Sequence, residues 1–132
     1  MTQAAAQQSA YPAYDDNNIF AKILRGEIPC DKVYEDDHVL AFNDISPQAP
    51  VHVLVIPKGK YVNATDFGEN GSAEEITALW RAVAHIAQEK GVAADGFRTI
   101  ANTNANGGQE VPHYHVHILG GRVLGPMLTH RD

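Results

Sequence analysis

The chain has 132 residues, 44% of them hydrophobic and 20% charged, which suits one domain with a core and excludes a wholly disordered chain. Ten lysines and arginines against 16 acids leave a formal net charge of −6. That balance lacks the footprint of a nucleic-acid binder, although a few well-placed groups can still hold a small anion.

Other classes fall away as quickly. No apolar run approaches the ~18 residues a membrane span needs. The opening MTQAAAQQSAYPAYDDNN has neither a basic region nor an apolar one, so it does not read as a secretory signal. The single cysteine, Cys30, can form neither an internal disulfide nor a multi-thiolate zinc site, and it reads as an ordinary residue. The expectation is a cytoplasmic protein with no nucleic-acid or membrane partner.

Residues 1–16 are rich in alanine and glutamine, have no apolar period, and read as a disordered tail. The domain is expected over 17–132. Asn18 is placed to cap a short helix carrying Ile19, Phe20, Ile23 and Leu24, stopped by Gly26 and by the Ile28-Pro29 step. Lys32 to Glu35 and His38 to Asn43 read as a hairpin around Asp36-Asp37. Val51 to Ile56 is a third strand, closed by Pro57, with His52, Leu54 and Ile56 on one face. Ser72-Ala73-Glu74-Glu75 is a capping box opening a long helix to about Lys90, with Gly91 as its stop. Its buried stripe is expected to be Ile76, Leu79, Trp80, Val83, Ile86 and Ala87, with Trp80 packed on the sheet and His85 at the surface. Phe97 to Asn102 is a fourth strand, Thr103 to Pro112 a loop, and His113 to Leu119 a fifth strand. The order predicts an α+β domain: a five-stranded antiparallel sheet with one long and one short helix, both on one side.

Seven histidines are present, and three stand at alternate positions of His113-Tyr114-His115-Val116-His117. On a strand they project from one side at ~6.6 Å spacing, with ~13 Å between the outer pair, while Tyr114, Val116 and Ile118 face the other way. Three readings are open: a solvated row, a metal site, or phosphate chemistry. A single zinc ion bonds each nitrogen at ~2.0–2.1 Å, so the full row is too long for one ion. Imidazoles attack phosphorus readily near neutral pH, and neighbours can hold its oxygens. The loop before the row carries Gly107 and Gly108, whose backbone N–H groups can approach an anion closely. His52, on another strand, can share the histidine face if the strands pair.

His113-Tyr114-His115-Val116-His117-Ile118-Leu119 resembles the signature of the histidine-triad family, three histidines alternating with apolar residues. Ile19-Phe20-Ala21-Lys22-Ile23, Gly26-Glu27-Ile28-Pro29, Asp44-Ile45-Ser46-Pro47-Gln48-Ala49-Pro50, His52 to Lys58, Gly107-Gly108-Gln109 and Leu119-Gly120-Gly121-Arg122 are similar to its purine nucleoside phosphoramidase branch. The match runs in order from about Asn18 to Arg122.

The resemblance implies a nucleotide hydrolase acting at the α-phosphate through a covalent nucleotidyl-histidine. The expected activity is a purine nucleoside 5′-phosphoramidase releasing AMP from AMP conjugates. The alternatives are a dinucleoside polyphosphate hydrolase of the same family, or a nucleotide-binding protein with little turnover. It implies His115 as the nucleophile, with His117 and His52 beside the phosphate and His113 in support. It implies Asp44 on the ribose hydroxyls, an apolar base slot of Ile19, Phe20, Ile28, Phe42 and Ile45, and Asn102 and Gln109 on the phosphate side. A homodimer that joins two sheets into one is implied as well, with no cofactor and no metal. Attack by Nε2 of His115 requires its proton on Nδ1, so a backbone carbonyl is expected there. Two positions depart from the branch: Glu110 replaces a serine common after Gly-Gly-Gln, and Asn43 stands where relatives often carry histidine. Glu110 suits an acid for the leaving group, an attraction for a cationic amine, or equally a solvated loop residue. The C-terminal residues 125–132 do not match closely.

Overall fold

The computed structural model describes residues 9–129. In chain order these are α1 (Ile19–Leu24), β1 (Lys32–Glu35), β2 (Val39–Asn43), β3 (Val51–Pro57), α2 (Ala64–Asn70), α3 (Ala73–Glu89), β4 (Phe97–Ile100), α4 (Asn104–Gly107) and β5 (Val116–Gly120). The five strands form one antiparallel sheet in the order β1-β2-β3-β5-β4.

The central strand β3 is apolar on both sides because both of its faces are covered. Val53 and Val55, with Ala41, Val116 and Ile118, pack on Leu79, Ala82, Val83 and Ile86 of α3. Leu54 and Ile56, with Leu40 and Phe42, pack on Phe20 of α1. The two helices expected on one side therefore lie on opposite faces. Phe20 decides this, because its ring belongs with the second set of strand residues and meets Phe42 edge-on at 5.6 Å.

Helix α3 begins as its sequence dictates. The Ser72 hydroxyl accepts from the Glu75 amide at 3.1 Å, and the Glu75 carboxylate accepts from the Ser72 amide at 3.0 Å. Trp80 does not join the core and is 47% exposed. One residue is about 100° of helical turn, so Trp80 stands about that far round from fully buried Leu79. His85 is exposed, as expected.

Helix α2 lies in a stretch to which the sequence reading gave no element. Its signal is Asn63, whose side chain accepts from the Asp66 amide as an N-cap. Phe67 on this helix stacks on Tyr114 at 4.9 Å, so α2 grips the chain between the first two histidines of the triad. The expected loop after β4 contains the short helix α4, ended by Gly108 at φ 75°, a conformation that favours glycine.

Strand β5 starts at Val116 rather than His113. Its neighbour β4 ends at Ile100, opposite His117, and β3 pairs no further than Val55 with Val116. Before that point the backbone bonds elsewhere: the Tyr114 amide donates to the Tyr61 carbonyl at 2.7 Å. The alternation persists beyond the ladder. Tyr114, Val116 and Ile118 are in the α3-side core, while His113 and His115 meet Phe20 on the other side.

The first half of the segment expected as a tail, residues 1–8, lies outside the described residues. The second half differs from that expectation. Tyr11 and Tyr14 are half-buried, and the Ala10 carbonyl accepts from the side chains of Asn63 and Asn104. These are sparse contacts with no apolar period to announce them. Residues 130–132 of the divergent C-terminus also lie outside the described residues. Among the described residues, no helix is long and apolar enough to cross a membrane.

Candidate active site

The α1 side of the sheet opens into a groove of about 570 Å³. Its apolar wall residues include Ile19, Phe20, Ile23, Ile28, Phe42 and Ile45. Its polar ones include Asp44, Asn102, Glu110, His115 and His117, with Gly108 beside them. Every residue expected in the base slot is there. Asp44 and Asn102 line the groove as well, and so do Asn43, Ser46 and Gln48, to which the sequence assigned no role. Cys30 is also in the wall, and burial pushes its thiol up, away from a reactive thiolate.

Each histidine has one role for each ring nitrogen, and the partners decide which nitrogen carries the proton. Nδ1 of His115 lies 2.7 Å from the backbone carbonyl of His113. A carbonyl only accepts, so Nδ1 is protonated and Nε2 keeps a lone pair. The carbonyl expected from the chemistry is thus supplied from two residues upstream. Phe20 meets the His115 ring edge-on at 5.0 Å, and the His117 ring lies 5.1 Å away, also edge-on.

His52 and His117 form a second unit. The Gln48 amide donates to Nδ1 of His52 at 3.1 Å, which leaves the His52 proton on Nε2. That Nε2–H donates to Nδ1 of His117 at 2.9 Å. Neutral His117 therefore carries its own proton on Nε2. Register makes this contact possible: β3 and β5 pair Leu54 with His117 and His52 with Leu119, so the two histidines share one face at neighbouring positions. His52 stands behind His117 and is not part of the groove wall.

His113 lies beneath the site, fully buried. Its Nε2–H donates to the Pro57 carbonyl at 2.8 Å, and its Nδ1 accepts from the Tyr14 hydroxyl at 2.6 Å. Tyr14 lies in the segment read as a tail, and nothing in the sequence around it marks this contact.

Burial sets the charge state. It pushes His113 from 6.5 down to about 4. It does the same to His117, helped by His115 and His52. Burial also lowers His115, opposed by its bond to the His113 carbonyl and by the charges of Asp44 and Glu110. In all three the balance favours the neutral ring.

Gln109 has another use. Its amide N–H groups donate to the carbonyls of Val62 and Val111, and its oxygen accepts from the Asn104 amide. The side chain clamps the triad loop to the segment before α2 and does not line the groove. Gly108 lines it. Gly107 instead packs on Asn102, with room for a Cβ no closer than 3.5 Å. Glu110 lines the groove, and among the described residues it has no hydrogen-bond or ion-pair partner of its own.

Asp44, His52 and His117 offer ligand atoms that all lie within 4.8 Å of one another, the grouping best placed to hold a metal among the described residues. The His52–His117 contact is shorter than a metal needs. Two nitrogens bound tetrahedrally at ~2.0–2.1 Å stand about 3.3 Å apart, whereas these are 2.9 Å apart and share a proton. Their arrangement is that of a hydrogen-bonded pair.

The five-stranded sheet thus carries two of the triad histidines, His115 and His117, in a groove that also has an apolar wall, and comparison with known proteins gives this arrangement a family. The HIT domain family model matches residues 25–124, and the chain belongs to that family. The purine nucleoside phosphoramidase of Escherichia coli strain K12 is 54% identical over 119 residues, covering 88% of this chain and 97% of that protein. The 0.95 Å structure of a histidine triad protein from Clostridium difficile is 48% identical with a TM-score of 0.73, covering 82% of this chain and 93% of that one. A HIT family hydrolase from Legionella pneumophila is 43% identical with a TM-score of 0.76, covering 80% of this chain and 94% of that one.

Proposed function

We propose that this HIT family hydrolase is a purine nucleoside 5′-phosphoramidase that releases AMP through a covalent intermediate on His115. The observation that supports this most directly is the His113 carbonyl on Nδ1 of His115, which leaves Nε2 as a free lone pair in the groove beside the apolar slot. The 54% identity to a protein of that name supports it independently.

The base enters between Ile19, Phe20, Ile28, Phe42 and Ile45, and Asp44 accepts from the ribose hydroxyls. Nε2 of His115 attacks the α-phosphorus. The P–N bond breaks with its electron pair on nitrogen, which takes up a proton from solvent water and departs as the amine. His117 donates its Nε2–H to a phosphoryl oxygen, with the His52 proton holding it in that tautomer. Water then attacks the phosphorus and gives up a proton to solvent, the N–P bond breaks with its electron pair back on Nε2 of His115, and AMP leaves. Asn102 and the Gly108 backbone serve the phosphate side. His113 and Gln109 act from behind the site. The protein works as a cytoplasmic homodimer.

A dinucleoside polyphosphate would share the first step. Its leaving group is a polyanion, however, and Glu110 and Asp44 both face the groove with negative charge. A cationic amine suits that field better.

The test is release of AMP from an AMP–lysine conjugate in the presence of EDTA, alongside a panel of phosphoramidates and dinucleoside polyphosphates. The expected result is amine release that EDTA does not slow. Preference for the polyphosphates, or loss of activity with EDTA, overturns the reading.

A further inference from the structure

The chain ahead of α1 lies outside residues 25–124, the stretch matched by the HIT domain. Nevertheless it touches the parts that build the site. The Ala10 carbonyl accepts from Nδ2 of Asn63 at 3.0 Å and from Nδ2 of Asn104 at 2.9 Å. The first is the cap of α2, and the second opens the short helix before the triad. The Tyr11 hydroxyl donates to Glu69 and accepts from Asn70, both on α2. The Tyr14 hydroxyl donates to Nδ1 of His113 at 2.6 Å, with the rings edge-on at 5.6 Å.

The last contact bears on chemistry. His113 is fully buried, so no solvent water is at hand to serve its Nδ1. Its other nitrogen is committed to the Pro57 carbonyl. The ring is thus pinned at both ends, and the same residue's carbonyl holds the proton of His115 Nδ1 at 2.7 Å.

We propose that Tyr14 is a positioning residue of this active site: its hydroxyl pins the His113 ring, and through it the carbonyl that orients His115 and fixes its tautomer. Tyr14 thus reaches the site from ahead of residues 25–124, and the contact is its own rather than one shared with the rest of the segment. This rests on His115 as the reacting histidine. With the hydroxyl removed, Nδ1 of His113 has no donor, and the ring and its carbonyl relax toward another arrangement. Substrate contacts in the groove are untouched, so the loss falls on the chemical step.

The experiment compares wild type with Tyr14→Phe, which keeps the ring, and with Tyr11→Phe, which removes an anchor of the same segment away from the histidines. Steady-state kinetics on an AMP–amine conjugate are read together with ¹⁵N NMR of the imidazole nitrogens. Tyr14→Phe is expected to lower kcat about tenfold or more, the size seen when an orienting partner is lost, with KM little changed. The His113 Nδ1 resonance should move from that of a hydrogen-bonded acceptor toward that of a free one. Tyr11→Phe should leave both unchanged. An unchanged kcat, a rise in KM alone, or an unmoved His113 resonance in Tyr14→Phe overturns the proposal. So does a wild-type His113 Nδ1 that already shows the free value, a measurement that needs no variant to fold. If wild type releases no AMP, the functional reading falls, while the NMR comparison still decides whether Tyr14 holds His113.

Discussion

Nε2 of His52 stands 2.9 Å from Nδ1 of His117, and the Gln48 amide holds the far side of the His52 ring at 3.1 Å. A fixed backbone donor on one strand loop therefore sets the tautomer of a side chain on another strand. Replacing His52 with alanine removes the donor and frees the His117 proton to sit on either nitrogen. The expected result is a fall in kcat smaller than that of His117→Ala, which removes the proposed phosphate donor itself and should cost about 10²–10³-fold. Single-turnover kinetics on both variants check the order.

His115→Ala deletes the proposed nucleophile without touching the base slot. Turnover should drop by about 10⁴–10⁶-fold, the range seen when a covalent nucleophile or its unit is lost. Binding of AMP, followed by calorimetry, should be largely retained. Acid quenching of wild type during turnover should trap AMP on the protein, and quenching of the variant should not. Turnover by the variant at the original rate would remove His115 from the mechanism.

The depressed histidines fix the sign of two pH dependences. The proposed attack needs neutral His115, whose titration is lowered by burial. The acid limb of kcat/KM should therefore fall below pH 6.5, with a plateau through neutrality. Stability follows from His113 and His117, which bind protons near 6.5 when unfolded but only near 4 when folded. Between those values the unfolded state holds more protons, so stability rises with pH and is lost as pH falls from 6.5 towards 4. Each group contributes at most about 1.4 kcal/mol per pH unit over that window. Urea midpoints at pH 7 and pH 5 give the measurement.

Glu110 faces the groove as a free carboxylate. Glu110→Gln should lower kcat/KM for a cationic amine leaving group by up to about 5-fold, since an exposed ion pair is worth about 0.2–1 kcal/mol. It should leave a neutral amine nearly unaffected and favour a polyphosphate. An equal effect on all three leaving groups would show that the charge does not act on them.

Trp80 and Leu79 are adjacent on α3 but differ in setting, 47% exposed against fully buried. Leu79→Ala should destabilise by about 2–5 kcal/mol, as core truncations do. Trp80→Ala should cost far less than the ~3–5 kcal/mol of a core tryptophan. Denaturant unfolding of both variants compares them.

Much of the site was legible because its signals are local. Alternation places His113, His115 and His117 on one face whether or not a partner strand is present, since it follows from backbone geometry alone. The Ser72 box and the Asn18 cap likewise act within four residues. The exposure of Trp80 is not legible, because spacing gives an angle on the helix but not the width of the sheet beneath it. The opposite placement of α1 and α3 escaped for a related reason. An apolar stripe says that a face is covered, not by which element.

What the sequence alone determined is what travels with the chain: the alternation of the three histidines and the helix caps, with the apolar slot residues and the demand for a carbonyl on Nδ1 added only by the resemblance. What only the tertiary structure decided is which donor meets which nitrogen. The His52–His117 bond depends on the register of β3 against β5, the Gln109 clamp on the approach of residue 62, and the Tyr14–His113 bond on contacts 99 residues apart. A hydrogen bond is made or lost within about half an ångström, and distances of that size between remote segments are set by packing, which leaves no periodic trace in the sequence.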